Sequence, residues 1–125
     1  MRQTFYKCAL CGNVVVKVED HGTPVSCCGQ VMQEIVANTV DASAEKHIPE
    51  VVYEDGIVDV NVGSVDHPMA AEHHISFIYM ATQNGGQRKL LKIEAAPHAK
   101  FSMIDDQPVA VYAYCNLHGL WVFEF

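Results

Sequence analysis

The sequence predicts a mainly β protein of two domains, a small metal-binding domain followed by a β-sandwich. Three observations support this prediction. Cysteines are concentrated near the start of the chain, β-branched and aromatic residues form short runs between turn residues, and no segment shows a helical period. A length of 125 residues suits one ordinary domain, or a compact domain joined to a very small one.

The first domain is predicted over residues 1–36, with one metal bound by four thiolates. Gly12 closes a C-x-x-C pair, Cys8 and Cys11, and the adjacent Cys27 and Cys28 supply the other two sulfurs. Such a site is tetrahedral and suits zinc or a single iron. A module below about 40 residues needs this cross-link because it builds little core. A zinc site with a purely structural role is the alternative interpretation.

The second domain is predicted over residues 37–125 as a β-sandwich. Asp55-Gly56 is a two-residue hairpin signal between two alternating runs. We expect strands at 51–54, 57–62, 73–82, 88–93, 109–115 and 120–125. In the first domain, short strands are expected at 13–19 and 31–36.

A second metal-binding pattern lies in the sandwich. Cys115 and His118 are three residues apart and can bind one metal, and three further stretches carry His47, His67 and the pair His73-His74 where loops meet strands. These residues can converge on one rim of a sandwich. Taken alone, the Cys115–His118 segment favours a buried free cysteine near a surface histidine, and the other histidine-bearing stretches reverse that interpretation.

Composition excludes several classes of protein. The net charge of −7 argues against a general nucleic-acid binder or a basic membrane-surface protein. No apolar segment approaches the ~18 residues of a membrane span, and the first residues lack the apolar core of a signal peptide. Five cysteines without a secretion signal fit metal thiolates better than a disulfide framework. We therefore expect a soluble cytoplasmic protein.

Four motifs together resemble the desulfoferrodoxins, the two-iron form of superoxide reductase. They are C-x-x-C with C-C, E-K-H-x-P, H-P-M-x-x-E-H and C-N-x-H-G, and they extend from Cys8 to His118. The resemblance implies a rubredoxin- or desulforedoxin-like first domain and an immunoglobulin-like sandwich. It also implies a homodimer and a rubredoxin-like or other small electron donor.

The resemblance implies two irons per chain. The first would be held by Cys8, Cys11, Cys27 and Cys28. The second would have four equatorial imidazoles, an axial thiolate and one open position, from His47, His67, His73, His118 and Cys115. Strand alternation agrees that only one of His73 and His74 faces a metal. His74 is then expected on a sheet face, and His98 in a surface loop.

The implied activity is one-electron reduction of superoxide to hydrogen peroxide. Neutral imidazoles leave a ferrous site cationic, which favours the anionic substrate, and a thiolate donates electron density to the iron. Lys46 is the local positive charge in an acidic chain, and Glu45 resembles the carboxylate that binds the oxidised iron. Two other functions stay open: an electron-transfer protein with incidental superoxide chemistry, and a zinc-stabilised binding module.

Overall fold

The computed structural model describes residues 3–125, which divide into two compact units, Gln3–Val36 and Ala37–Phe125. Each unit is built from antiparallel strands. Within residues 3–125, no helix has the length and apolar character that crossing a membrane requires. The mainly β fold predicted from the sequence is confirmed.

The smaller unit has five very short strands and little core. Three of them form a sheet in the order β2-β1-β5, and the other two form a hairpin. Their bounds are β1 Phe5–Lys7, β2 Val14–Val15, β3 Ser26–Cys27, β4 Gln30–Val31 and β5 Gln33–Ile35. Phe5, Cys8 and Met32 are its buried residues, so a thiol takes part in the core.

The larger unit consists of two antiparallel sheets. One has the strand order β10-β7-β6 and the other β12-β11-β8-β9. The strands are β6 Pro49–Glu54, β7 Ile57–Val62, β8 Ile75–Thr82, β9 Gly85–Leu90, β10 His98–Ser102, β11 Pro108–Cys115 and β12 Gly119–Glu124. A single turn of helix, α1 Ala44–His47, precedes β6.

Strand alternation builds one core between the sheets. In β7 the valines are fully buried while Asp59 and Asn61 are partly exposed, as a period of two requires. From the other sheet, Ile78, Met80 and Val111 point into the same core, and Cys115 joins it at the end of β11. Cys115, the last residue of the core strand β11, is therefore also a potential metal ligand.

The structure departs from several sequence-based expectations. The strand expected at 88–93 is observed at Gly85–Leu90, and the one expected at 73–82 begins at Ile75. The segment expected to be a strand at 13–19 forms only Val14–Val15. His98, expected in a loop, begins strand β10 and pairs with Asn61, because Ala99 and Phe101 supply a buried alternation that the sequence pattern left unrecognised. His74, expected on a sheet face, precedes β8 and its ring Nδ1 lies 3.0 Å from the Ala70 carbonyl.

Candidate metal centres

The four cysteines of the smaller unit converge on one point. Their sulfurs lie within 4.8 Å of one another. Gly12 and Gly29 have φ of 83° and 74°, so both cysteine pairs end in left-handed turns that glycine adopts without strain. Cys28 itself has φ of 53°, which turns two adjacent side chains toward the same centre. The unusual C-C pair is therefore accommodated by one left-handed residue.

The electrostatics of this cluster favour a cation. The backbone N–H of Cys11 donates to the Cys8 sulfur at 3.4 Å and lowers the pKa of Cys8 to about 6. The sulfurs of Cys11 and Cys8 raise the pKa of Cys28 to about 12. The cluster gives up its first proton readily and its last with difficulty, since negative sulfurs repel. A bound divalent ion removes that conflict, so the donor set fits a metal.

In the larger unit, two buried imidazoles are held with one ring nitrogen fixed. Nδ1 of His47 donates to the Ser43 carbonyl at 2.6 Å, and Nδ1 of His67 donates to the Pro68 carbonyl at 2.7 Å. Both Nε2 atoms are then left without a proton, and they lie 3.1 Å apart. Two lone pairs aimed at one point are the arrangement that metal-binding histidines show, with the outer nitrogen bound to a carbonyl.

Cys115 and His73 complete this group. The Cys115 sulfur and one ring nitrogen each of His47, His67 and His73 lie within 4.8 Å of one another. Nε2 of His73 is buried and has no hydrogen-bond partner within the described residues. An orphaned imidazole nitrogen facing a thiol and two lone pairs is costly without a ligand, and a metal ion would satisfy it. The donor set therefore fits a metal here as well.

His118 joins the group through its other ring nitrogen. Its Nδ1 lies 3.1 Å from Nε2 of His47, and its backbone N–H donates to the Cys115 sulfur at 3.4 Å. Gly119, with φ of 77°, closes the turn between β11 and β12 that carries both residues. Four of the five ligands that the family resemblance implies thus converge on one point, and His118 lies beside them in contact with His47.

Burial favours the neutral form of His47, His67 and His73. Desolvation lowers the pKa of His47, lowers that of His67 to about 4 and lowers that of His73. His47, His67 and Cys115 are buried, while His73 and His118 are half-buried. Access from solvent is therefore on the side of His73 and His118. Neutral imidazoles are the form that binds a metal.

Glu45 and Lys46 lie on α1 immediately before His47, and both side chains are exposed. The loop after β7 anchors this helix, since the Val65 N–H and the Ser64 hydroxyl donate to the Glu45 carbonyl at 3.0 Å and 3.2 Å. Glu45 is outside the cluster of potential ligand atoms found within the described residues.

Sequence reasoning missed two residues that contact the centre. Trp121 stacks on the His47 ring with 4.8 Å between ring centroids, and its Nε1–H donates to the His118 carbonyl at 3.1 Å. The Asn116 side chain bonds to the backbone on both sides of His73. Trp121 resembles an ordinary core aromatic in sequence. The position of Asn116 inside C-N-x-H-G is the one signal that could have identified it.

Comparison with known families gives matches over both units. The Desulfoferrodoxin family profile matches residues 39–124, and the profile described as Desulfoferrodoxin, N-terminal domain, matches residues 1–35. The desulfoferrodoxin of Syntrophotalea carbinolica is 43% identical over 120 residues, which are 95% of this chain and 94% of that protein.

Solved structures give a second comparison. The crystal structure of the superoxide reductase from Treponema pallidum superposes with a TM-score of 0.82 at 37% identity, covering 99% of this chain and 100% of that one. The superoxide reductase from Giardia intestinalis gives a TM-score of 0.54 at 30% identity, covering 65% of this chain and 99% of that one. The similarity to the first structure therefore includes both units.

Proposed function

The chain belongs to the desulfoferrodoxin family, and from this membership we propose that it is a superoxide reductase. The observation that carries the proposal is the convergence of three imidazoles and the Cys115 thiol on one point. The similarity to the superoxide reductases of Treponema pallidum and Giardia intestinalis supports the proposal. The reaction is O₂⁻ + e⁻ + 2H⁺ → H₂O₂, without evolution of oxygen.

We propose that each unit holds one iron. The first ion is assigned to Cys8, Cys11, Cys27 and Cys28, and the second to His47, His67, His73, His118 and Cys115. Ferrous iron, when bound at the second centre, supplies the electron that reduces superoxide. The matching domains would be residues 1–36 and 37–125, close to the ranges of the two family profiles.

The residues around the second centre have separate tasks. The carbonyls of Ser43 and Pro68 fix the outer nitrogens of His47 and His67, so their inner nitrogens stay unprotonated. Burial of Cys115 keeps its sulfur away from solvent protons. Lys46 attracts the superoxide anion to a chain whose net charge is −7. Glu45, exposed on the same helical turn, is proposed to approach the oxidised centre.

We assign the protein to the cytoplasm, as a homodimer that receives electrons from a rubredoxin-like or other small redox protein. A small unit with only three buried apolar residues gains core by pairing, which supports the dimer. Analytical ultracentrifugation of the iron-loaded protein tests it, and sedimentation as a monomer at micromolar concentration would contradict it.

Product stoichiometry tests the proposed activity. The reduced, iron-loaded protein is mixed with superoxide under anaerobic conditions, and peroxide and oxygen are both measured. Reduction gives one peroxide per superoxide and no oxygen, whereas dismutation gives one peroxide and one oxygen for every two superoxide ions. The protein with its iron removed is the control. Evolution of oxygen in the dismutation ratio would show that the proposed reaction is wrong.

Electron transfer is the second candidate, because Cys11 and Cys28 of the four-cysteine cluster are exposed. A one-electron donor could reach such sulfurs directly. If the protein serves only to carry electrons, peroxide formation should be slow in the natural chain as well as in every variant. Removing Lys46 or Cys115 should then leave the rate of electron uptake by the first centre unchanged.

A further inference from the structure

The carboxamide of Asn116 binds the two peptide groups that flank His73. Its Oδ1 accepts from the His74 N–H at 2.9 Å, and its Nδ2 donates to the Glu72 carbonyl at 3.0 Å. The Glu72 carbonyl belongs to the peptide before His73, and the His74 N–H to the peptide after it. One side chain therefore satisfies the backbone on both sides of a single residue.

This pattern is that of a β-bridge in which the side-chain amide replaces a neighbouring peptide. Fixing both flanking peptides restricts φ and ψ of His73 together. The backbone N–H of Asn116 adds a third bond to the His74 carbonyl at 3.2 Å. On the other side, Ala70 and His73 exchange backbone hydrogen bonds of 2.9 Å and 3.2 Å. The short segment that carries His73 is thus held at both ends.

His73 depends on this support more than its neighbours do. The rings of His47 and His67 are oriented by hydrogen bonds from Nδ1 to carbonyls. Over residues 3–125, no hydrogen bond to a carbonyl fixes the His73 ring, and its Nε2 is buried without a partner. The direction of this ring is consequently set by its backbone. That backbone is in turn set by Asn116.

We infer that Asn116 is a positioning residue that aims His73 at the second centre. Because Asn116 follows Cys115 directly, it ties the segment carrying the thiol to the segment carrying this imidazole, 42 to 44 residues away in the chain. The inference rests on the proposed function only in taking His73 as a metal ligand. It assigns Asn116 no contact with substrate.

Cobalt(II) binding to the metal-free full-length chain tests the inference without measuring activity. Trp121 is the single tryptophan, and it stacks on His47, so quenching of its fluorescence by this paramagnetic ion reports on the second centre. Thiolate absorption, to which the four cysteines of the first centre contribute most, follows the first centre. Asn116→Ala should raise the Co²⁺ dissociation constant at the second centre about tenfold or more, the range seen when outer partners of ligands are removed.

Asn84→Ala is the matched control. Asn84 also donates through its side chain to a distant backbone carbonyl, that of Asp105 at 3.3 Å, but it follows the far end of β8 from the centre. Its substitution should leave Co²⁺ affinity within about twofold. Thermal unfolding of each variant verifies that it is folded. Should Asn116→Ala fail to fold, Asn116→Asp replaces it, since a carboxylate still accepts from the His74 N–H but puts a repelling oxygen where the donor to Glu72 was.

A double-mutant cycle decides between positioning and general structural support. In a His73→Ala background, adding the Asn116 substitution should change the Co²⁺ dissociation constant by less than about twofold, because its target ring is gone. An equal loss in both backgrounds, or no loss in either, overturns the inference. Failure of the proposed superoxide reduction would appear in the peroxide and oxygen yields and would leave this cobalt result intact.

Discussion

At the scale of single residues, the second centre combines two requirements in Cys115. Its side chain is 0% exposed and packs in the hydrophobic core, yet its sulfur faces three imidazole nitrogens within 4.8 Å. Backbone N–H donation from His118 stabilises negative charge on this sulfur. An anionic donor sealed from water is an efficient source of electron density for a bound metal.

Replacing this sulfur separates metal binding from catalysis. Cys115→Ser should retain part of the iron, because four imidazoles remain, and should lose the visible charge-transfer band of the oxidised centre together with nearly all superoxide reduction. The two measurements are the absorption spectrum and the peroxide yield, on samples matched for iron content. Cys28→Ser, which alters only the first cluster, is the control. Near-normal turnover in Cys115→Ser would refute the role given to the thiolate.

Lys46 provides a second test at this scale. Its ammonium group is exposed on α1, next to His47, in a chain of net charge −7. Lys46→Ala should slow the bimolecular reaction with superoxide about tenfold, which is within the range of electrostatic focusing. Stopped-flow or pulse-radiolysis rates at two ionic strengths provide the measurement.

Lys100→Ala changes the net charge by the same amount and serves as the control for Lys46. Lys100 lies on β10 with its side chain 63% exposed, 3.8 Å from Asp59. Its substitution should leave the rate within about twofold. Equal rates for the two variants would show that local attraction by Lys46 plays no part.

At the scale of elements, the helical turn α1 is held in place by the loop that follows β7. A Cβ on Gly63 would lie 2.6 Å from the Ile48 carbonyl oxygen and 2.7 Å from that of Glu45. The absence of a side chain at this position lets two backbone segments approach closely. The same contact also fixes the position of His47, because His47 is the last residue of α1.

Gly63→Ala should therefore displace α1. We expect a loss of about 1–3 kcal/mol in the free energy of unfolding, as for other overpacked sites. We also expect weaker Co²⁺ binding at the second centre, because His47 moves with the helix. Urea unfolding and quenching of Trp121 fluorescence measure the two effects. Ser64→Ala, which removes only one hydrogen bond to Glu45, should have a smaller effect on both. Unchanged metal affinity in Gly63→Ala would contradict the coupling.

Local sequence patterns predicted the features that depend on neighbouring residues. They did not predict contacts between residues that are far apart in the chain. Asp55-Gly56 predicts the hairpin of β6 and β7, and the paired cysteines predict the first cluster. The helix α1 was missed because one turn is too short to show a period. Strand β10 was missed because its two buried residues, Ala99 and Phe101, make too short a pattern.

The contacts of Asn116 and Trp121 could not be predicted for a different reason. Both depend on which strands become neighbours, since Asn116 bonds to residues before β8 and Trp121 stacks on α1. Sheet order is not encoded in any local pattern. The ligand histidines were found through motif resemblance, whereas the groups that orient them emerge only from the folded chain.

At the scale of the whole molecule, three imidazoles whose pKa is lowered by desolvation make stability depend on pH. Burial lowers the pKa of His67 from 6.5 to about 4, and those of His47 and His73 are also lowered. Between these values the unfolded chain binds protons that the folded chain does not, so folding is favoured as pH rises. Neutral burial thus contributes stability that is complete above the ordinary histidine pKa and is lost on acidification.

The metal-free protein should accordingly lose stability between pH 6.5 and about 4, the window of the His67 shift. Urea unfolding at several pH values measures the slope. His67→Gln should reduce the slope, because one of the three titrating groups is gone. His21→Gln, whose ring is 78% exposed, should leave it unchanged. A stability that stays constant across the window would show that these imidazoles are not held neutral by the fold.

The cysteines differ in exposure, and this difference determines which of them is oxidised first. Hydrogen peroxide, the proposed product, oxidises thiolates that it can reach, first to sulfenic acid and then irreversibly. Cys11 and Cys28 are exposed, whereas Cys115 is fully enclosed by the core. Under the proposed activity, the product therefore puts the four-cysteine cluster at greater risk than Cys115. Oxidative damage should begin at the cysteines of the smaller unit, and superoxide reduction should be the last property to be lost.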